Sequence, residues 1–244
     1  MNSQKVSIVI PVFNEIAFIG QCIADVMGAN TLGAAKELVI VDDGSTDGTG
    51  ARLKSLVSGR HQATTQATIR LILLPHNQGK GAAVKAGLIA STGDIVIIQD
   101  ADLEYNPADY PKLLKPFFHY RADVVYGSRF ISAQPRRTLL YWHSLANKAL
   151  TTFSNMFTNI NLTDMETGYK AFRGDLIRQI APHLRSQRFG FEPEVTARLA
   201  KIKNIKIYEV GISYQGRPYN EGKKIRWTDG LRAIWEIIRY NLNP

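Results

Sequence analysis

Short apolar, β-branched runs alternate with longer segments of helical period through the first half of this chain. The runs Val6–Val12, Glu37–Val41, Ile69–Leu74, Asp94–Ile98 and Asp123–Tyr126 predict strands. Between them, helices are expected near Ile16–Met27, Gly48–Val57, Lys80–Ala90 and Pro107–Tyr120. This alternation predicts an α/β fold with a mostly parallel central sheet flanked by helices. The second half is less regular. Leu139–Phe157 has helical spacing, with Leu139, Trp142, Ala146, Ala149, Leu150, Phe153 and Phe157 largely on one face, and Gly168–Phe172 reads as a returning strand. A helix over Pro193–Lys201 and a strand over Ile205–Val210 follow, then a Gly-rich basic loop, Gly216–Lys224. From Trp227 the chain is amphipathic, with Trp227, Leu231, Ile234, Trp235, Ile238 and Leu242 on one stripe and Arg232, Glu236 and Arg239 off it. Ala63–Thr68 reads as a surface loop, and no repeat or low-complexity tract interrupts the pattern.

At 244 residues and 45% hydrophobic, the chain can bury one sizeable core. Thirty Lys and Arg against 21 Asp and Glu give a net charge of +9, which favours anionic partners: nucleotides, phosphorylated lipids or an anionic membrane surface. No nucleic-acid partner is expected, because no aromatic-rich basic motif of the RNA-binding kind occurs. The lone Cys22 excludes an internal disulfide, which fits a reducing, cytoplasmic compartment. Pro11 interrupts the first apolar run and Asn14-Glu15 ends it, so it reads as a strand rather than a leader. No stretch approaches the length of a spanning helix, so membrane association is expected to be peripheral or through a membrane-spanning partner.

The chemistry gathers where strands end. Asn14-Glu15, Asp42-Asp43 and Asp100–Asp102 each follow an expected strand, and in a wound sheet ligands collect at that rim. The run VDDGSTDGT (Val41–Thr49) is an acidic turn opening a helix, while Asp100, Asp102 and Glu104 have the alternate spacing that places side chains to one side of an extended path. Clustered carboxylates repel one another, and a hard cation, Mg²⁺ or Mn²⁺, relieves the repulsion while taking further ligands from a diphosphate and water. The plain alternative for VDDGSTDGT is capping of the next helix, which suits Asp43, Ser45 or Thr46 better than Asp42. His76, His119 and His143 lack metal-ligand spacing.

PVFNE (Pro11–Glu15), VDDGSTDGT, NQGKG (Asn77–Gly81), DADLE (Asp100–Glu104) and GSR (Gly127–Arg129) stand in the order and rough spacing of family 2 inverting glycosyltransferases. The later DMETGYKAF (Asp164–Phe172), FEPE and EGKK resemble the subgroup of dolichyl- and polyprenyl-phosphate sugar synthases. The resemblance spans nearly the whole chain and implies the GT-A fold. It implies a catalytic domain over 1–224 and, over 225–244, an amphipathic helix that is part of the same domain or a membrane-interface element. It also implies that Pro11, Phe13 and Glu15 lie beside the base and ribose of a UDP- or GDP-linked sugar, with Asp42 accepting from the base. Lys80, in NQGKG, falls on the donor side of the cleft, Asp100 and Ala101 near the donor sugar or ribose, and Asp102 at the metal. At Glu104, where the subgroup commonly carries Gln, a second oxygen ligand remains available. Arg129, Arg217, Lys223 and Lys224 match places where cations face the diphosphate or an acceptor phosphate.

The acceptor is the open question. A sugar hydroxyl needs a general base, for which Asp164, Glu166, Glu192 and Glu194 are candidates; a lipid phosphate is already an anion and needs steering cations. The context of Asp164 and the basic loop favour transfer of a hexose to a polyprenyl phosphate, dolichyl or undecaprenyl, on the cytoplasmic face of a membrane. Transfer to a carbohydrate or polyol hydroxyl is the alternative, and a catalytically silent nucleotide-binding scaffold a second. For the two late amphipathic helices, packing against the core and contact with a headgroup boundary both remain open.

Overall fold

The structure is a computed structural model describing residues 4–58, 67–131, 140–188, 190–216 and 227–242. Its centre is a seven-stranded sheet built from β1 (Lys5–Val12), β2 (Ala35–Asp42), β3 (Ala67–Leu73), β4 (Ile95–Ile98), β5 (Val124–Ser128), β6 (Lys170–Arg173) and β7 (Ile207–Gly211), in the spatial order β3-β2-β1-β4-β6-β5-β7. All pairings are parallel except those of β6, which runs antiparallel to both β4 and β5. The helices are α1 (Ile19–Gly28), α2 (Thr49–Ser58), α3 (Lys80–Ala90), α4 (Tyr110–Tyr120), α5 (Tyr141–Thr158), α6 (Gly174–Ile180), α7 (Phe191–Ala200) and α8 (Trp227–Leu242).

Strand alternation sorts the apolar side chains onto two faces. Val6, Ile8, Ile10 and Val12 of β1 join Leu38, Ile40, Ile95 and Ile97 beneath α1 and α4. Val9, Val39, Val41, Val96 and Ile98 face the opposite way, toward α3, α6 and α7. Each buried aliphatic side chain contributes about 1.5–3 kcal/mol, which makes this double-sided core the main stabilising element.

Element edges differ from the sequence expectations for local reasons. Ala67 and Thr68, expected in a loop, pair with Lys36 and Glu37 as the start of β3. Pro107–Asp109 forms a separate 3-10 turn capped by Asn106, so α4 begins only at Tyr110. The expected boundary at 224/225 lies outside the described residues.

Both late amphipathic helices are present, but their apolar stripes turn largely outward, with Leu150 and Phe153 of the α5 stripe packing against the core. In α5 the buried residues are Thr151, Ser154 and Thr158, while Trp142 is 75% and Met156 76% exposed. In α8, which packs on α5 and α7, Ala233, Ile237 and Tyr240 turn inward; Trp235, 61% exposed, and Leu242, 73% exposed, turn outward. No helix among the described residues is long and apolar enough to cross a membrane.

Candidate active site

The loops at the carboxyl ends of β1, β2 and β4 are tied to one another. Asn14, at a left-handed φ of 55°, donates its backbone N–H to Ser45 Oγ (2.9 Å) and accepts from Thr46 N (2.8 Å), which laces PVFNE to VDDGSTDGT. Glu15 donates its backbone N–H to Thr49 Oγ1 at 3.1 Å. Pro11 is buried, and Phe13 and Glu15 are half-buried at the same rim. Asp42 is buried; its Oδ1 accepts from Ser45 N at 3.2 Å, and its Oδ2 lies over Gly50, where a Cβ would come within 2.7 Å.

Asp43 does not cap α2. Its carboxylate accepts from Asn77 Nδ2 (2.9 Å), Gln78 N (2.8 Å) and Gly79 N (2.8 Å), so it shapes the turn that launches α3. The α2 entrance is held by Asp47, which accepts from Thr49 N at 3.0 Å. Gly79 is required by geometry: its φ is 102°, and a Cβ would sit 2.3 Å from Gln187 O.

That turn delivers Lys80. Its Nζ lies 3.0 Å from Asp100 and 3.4 Å from Glu192. Burial opposes the ammonium form, yet the two carboxylates raise its pKa above the ordinary lysine value. Gly168 closes over Asp100, leaving a Cβ only 2.3 Å from Oδ2. Gln99 fixes this loop from below, donating to the carbonyls of Asp100 (3.0 Å) and Tyr105 (3.2 Å) and accepting from Tyr110 (3.0 Å) and Tyr169 (2.7 Å). Ala101 is buried in the core, so any ligand contact it makes runs through its backbone. Asp102 Oδ1 accepts from Glu104 N at 3.1 Å, and Glu104 Oε2 accepts from Tyr214 Oη at 2.6 Å.

The other side of the site is a closed ion pair. Arg129 approaches Asp164 through its backbone N (3.0 Å), Nε (2.7 Å) and Nη2 (2.8 Å), and Asn147 of α5 adds Nδ2 at 3.0 Å. Burial pushes the Asp164 pKa up, but Arg129's charge and hydrogen bonds, with Asn147, bring it below the ordinary carboxylate value. Arg129 also stands 5.3 Å over the Tyr214 ring. Glu209 accepts from Thr163 N at 2.9 Å, and buried Lys170 donates to the carbonyls of Met165 (3.0 Å) and Thr167 beneath the 164–168 loop. Burial is the main cause that lowers Lys170 to about 8, opposed by Glu192 and Glu166.

Of the remaining carboxylates, Glu194 is buried and bonded to Arg185 N, Ser186 N and Arg198. Glu166 is different. Burial, followed by the nearby Glu192, raises it to about 7, and its buried Oε1 has no hydrogen-bond partner among the described residues. The structure thus brings Asp100, Lys80, Arg129 and Asp164 into one neighbourhood. Arg217, Lys223 and Lys224 lie outside the described residues. The roles of Gln99 and Lys170 escape a sequence reading because their work is done by hydrogen bonds to other loops, and Asp43, marked by VDDGSTDGT, was expected to cap α2 rather than to hold the Asn77–Gly79 turn.

Residues 7–181 match the sequence model of Glycosyl transferase family 2. The chain is 28% identical over 257 residues to the undecaprenyl-phosphate mannosyltransferase of Micrococcus luteus, covering 98% of this chain and 99% of that one. It is also 28% identical to the dolichyl-phosphate beta-glucosyltransferase of Dictyostelium discoideum, covering 96% of this chain and 72% of the relative. Among solved structures, glucosyl-3-phosphoglycerate synthase from Mycobacterium tuberculosis, crystallised with Mn²⁺, uridine diphosphate and phosphoglyceric acid, superposes with a TM-score of 0.70 at 21% identity, over 99% of this chain and 80% of that one. At that identity the likeness speaks for the shared GT-A-like fold.

Proposed function

The chain belongs to glycosyl transferase family 2, and from that premise we propose that it transfers a hexose from a nucleoside-diphosphate sugar to a polyprenyl phosphate at the cytoplasmic face of a membrane. The observation that carries the choice of acceptor is the closed Arg129–Asp164 pair. A carboxylate that is buried, held ionised and bonded by a guanidinium is a poor proton acceptor, whereas an acceptor phosphate has no proton that must be removed. The names of the relatives from Micrococcus luteus and Dictyostelium discoideum support the same acceptor class.

In this reading an acceptor phosphate oxygen forms the new bond to the sugar's anomeric carbon from the face opposite the leaving group. The bond from that carbon to the nucleoside diphosphate breaks, and its electron pair leaves with the diphosphate. Asp42 and the PVFNE loop hold the nucleoside, and Lys80 fixes Asp100 beside the sugar. Asp164 is a positioning residue that orients the Arg129 guanidinium, and Arg217, Lys223 and Lys224, outside the described residues, are the further cations assigned to the phosphates.

The oxygen-only chemistry of the DADLE loop fits Mg²⁺ or Mn²⁺. Lys80 balances Asp100, and Asp102 and Glu104 offer hard donors in the same loop. Among the described residues no three His, Cys, Asp or Glu side chains gather as a metal site. Asp102 and Glu104 would hold such an ion, which when bound would supply charge stabilisation for the departing diphosphate.

Glu166 favours one second reading. A half-buried carboxyl near neutrality with an uncommitted oxygen has the properties of a general base, so transfer to a hydroxyl remains the alternative. Incubation with UDP-glucose or GDP-mannose, Mn²⁺ and undecaprenyl phosphate in detergent separates the two. The expected result is an acid-labile, organic-soluble lipid-phosphate sugar; glycosylation of a carbohydrate hydroxyl with no lipid product would overturn the proposal.

A further inference from the structure

A helix that packs on a water-soluble domain normally buries its apolar stripe and wets its polar one. Helices α5 and α8 each cover one side and still leave large apolar side chains on the other. On α5 the fully buried residues are Thr151, Ser154 and Thr158, beside the partly buried Leu150 and Phe153, with Asn147 and Asn155 bonding to Asp164 and to the Leu162 backbone. Its outward side carries Tyr141, Trp142, Leu145 and Met156, and the helix contains no Asp or Glu. On α8, Ile234, Trp235 and Leu242 are outward. Of the fifteen large apolar side chains exposed among the described residues, five belong to α5 and three to α8, and the two helices touch. Scattered exposed hydrophobics need no explanation, but a concentration on two adjoining helices does.

We propose that the outward faces of α5 and α8 form one docking surface for the headgroup region of an anionic lipid bilayer. The choice of a bilayer over another protein rests on the composition and rim of the patch. Trp and Tyr, whose rings are apolar at one end and polar at the other, sit at headgroup depth, while Leu, Ile and Met reach the acyl boundary. The rim is cationic: Lys148 is exposed on α5, and exposed Arg232 and Arg239 flank Trp235 on α8. Both arginines approach the buried Glu236 only loosely, at 3.8 Å, so their charge is not sequestered in a tight pair. A net charge of +9 adds long-range attraction to anionic lipid.

The placement deepens the proposed acceptor and rests on it for meaning. Asn147 on the inner side of α5 bonds to Asp164, the partner of Arg129, so a single helix joins the acceptor side of the site to the docking face. A polyprenyl phosphate held in a bilayer beneath α5 would present its headgroup to a site fixed at a constant height.

The test is co-sedimentation of the full chain with phosphatidylcholine vesicles, with and without phosphatidylglycerol and containing no polyprenyl phosphate. Binding is expected to the anionic vesicles, weakening as salt is raised, with a blue shift of tryptophan emission. The pairs Trp142→Ser with Met156→Ser, and Trp235→Ser with Leu242→Ser, should each weaken binding by about tenfold or more, since each removes two exposed apolar anchors. Thermal midpoints and nucleotide binding should stay as in the wild type. The proposal is overturned if the folded protein ignores both vesicle types. It is equally overturned if it binds them only with a reconstituted membrane-spanning protein, or if it forms a dimer that these same substitutions dissolve. Because the vesicles lack the acceptor, failure to make a lipid-linked sugar would sink the proposed reaction while leaving this result intact.

Discussion

Replacing Asp164 by Asn separates the two roles open to a carboxylate on the acceptor side. In the folded chain Asp164 is wholly buried and accepts from Arg129 N, Nε and Nη2 and from Asn147 Nδ2. The amide keeps the shape, but it strands the buried guanidinium without a counter-charge and turns an NH₂ group toward other donors. Breaking a buried pair in this way costs about 3–5 kcal/mol. For a chain of this size each kcal/mol lowers the midpoint by about 2–4 °C, so thermal unfolding followed by circular dichroism should show a loss of roughly 6–20 °C. The double variant Arg129→Met/Asp164→Leu, which strands neither charge, should recover much of the loss. The pH dependence has a definite sign. Because the folded pKa of Asp164 is depressed, its stabilisation is complete above the unfolded value of about 3.9 and disappears only as pH falls through the lower folded value. The deficit of D164N should therefore be flat across neutral pH. An Asp164→Asn protein that melts with the wild type yet has lost turnover would refute this reasoning and make Asp164 a base.

Three further outcomes follow from the same geometry. Glu166 has a folded pKa raised to about 7, so its contribution to stability is present below the unfolded value of about 4.3 and lost as pH rises through 7; E166Q, always neutral, should gain up to about 3 kcal/mol over wild type above that range in urea titrations, and equal stability at all pH values would show the carboxyl is not desolvated. Gly168→Ala places a methyl 2.3 Å from Asp100 Oδ2 and 3.0 Å from the Tyr105 ring, so displacement of the Lys80–Asp100 pair should cut kcat/KM by roughly 100-fold and overpacking of about 1–3 kcal/mol should lower the midpoint by several degrees, and wild-type kinetics would argue against a role for that pair. Removing divalent ions with EDTA should abolish sugar transfer, with restoration by Mn²⁺ or Mg²⁺, and Asp102→Asn should lose that restoration; turnover indifferent to chelation would remove the ion from the reaction.

Strand ends and the two faces of β1 were legible because each is written in local alternation; the alternate spacing of Asp100, Asp102 and Glu104 did not carry over, because the chain turns there, with Leu103 at a φ of 62°, and among the described residues the three carboxylates take separate partners. The direction in which the apolar stripes of α5 and α8 face was not. Periodicity places Trp142, Ala149 and Phe157 roughly along one side of a helix, but it carries no sign saying whether that side meets a sheet or a solvent boundary. The sign is set by Asn147, Thr151 and Asn155, polar residues whose partners lie in the 162–165 segment. Likewise VDDGSTDGT announces a helix start, yet which carboxylate caps α2 and which holds the distant Asn77–Gly79 turn depends on β2 and β3 being neighbours, a pairing that no local pattern encodes.

The antiparallel course of β6 explains why the Arg129–Asp164 pair lies where it does. In a sheet of parallel strands only the segments that follow strands reach the carboxyl rim. Because β6 runs backward between β4 and β5, with Ile97 opposite Ala171 and Tyr126 opposite Lys170, the segment that precedes it arrives at that rim instead. That segment is 164–169, and its arrival sets Asp164 against Arg129 beyond β5 and Gly168 against Asp100 beyond β4. Lys170, at the first position of β6, then fastens the segment from below through the carbonyls of Met165 and Thr167. A parallel strand at the same place would have brought residues after Arg173 to the rim, and these are the start of α6, with Asp175 already paired to Arg173. One reversed strand therefore joins the proposed acceptor half, whose carboxylate is locked to an arginine, to the proposed nucleotide-facing half built from β1, β2 and β4. This is the arrangement expected where the acceptor brings its own negative charge.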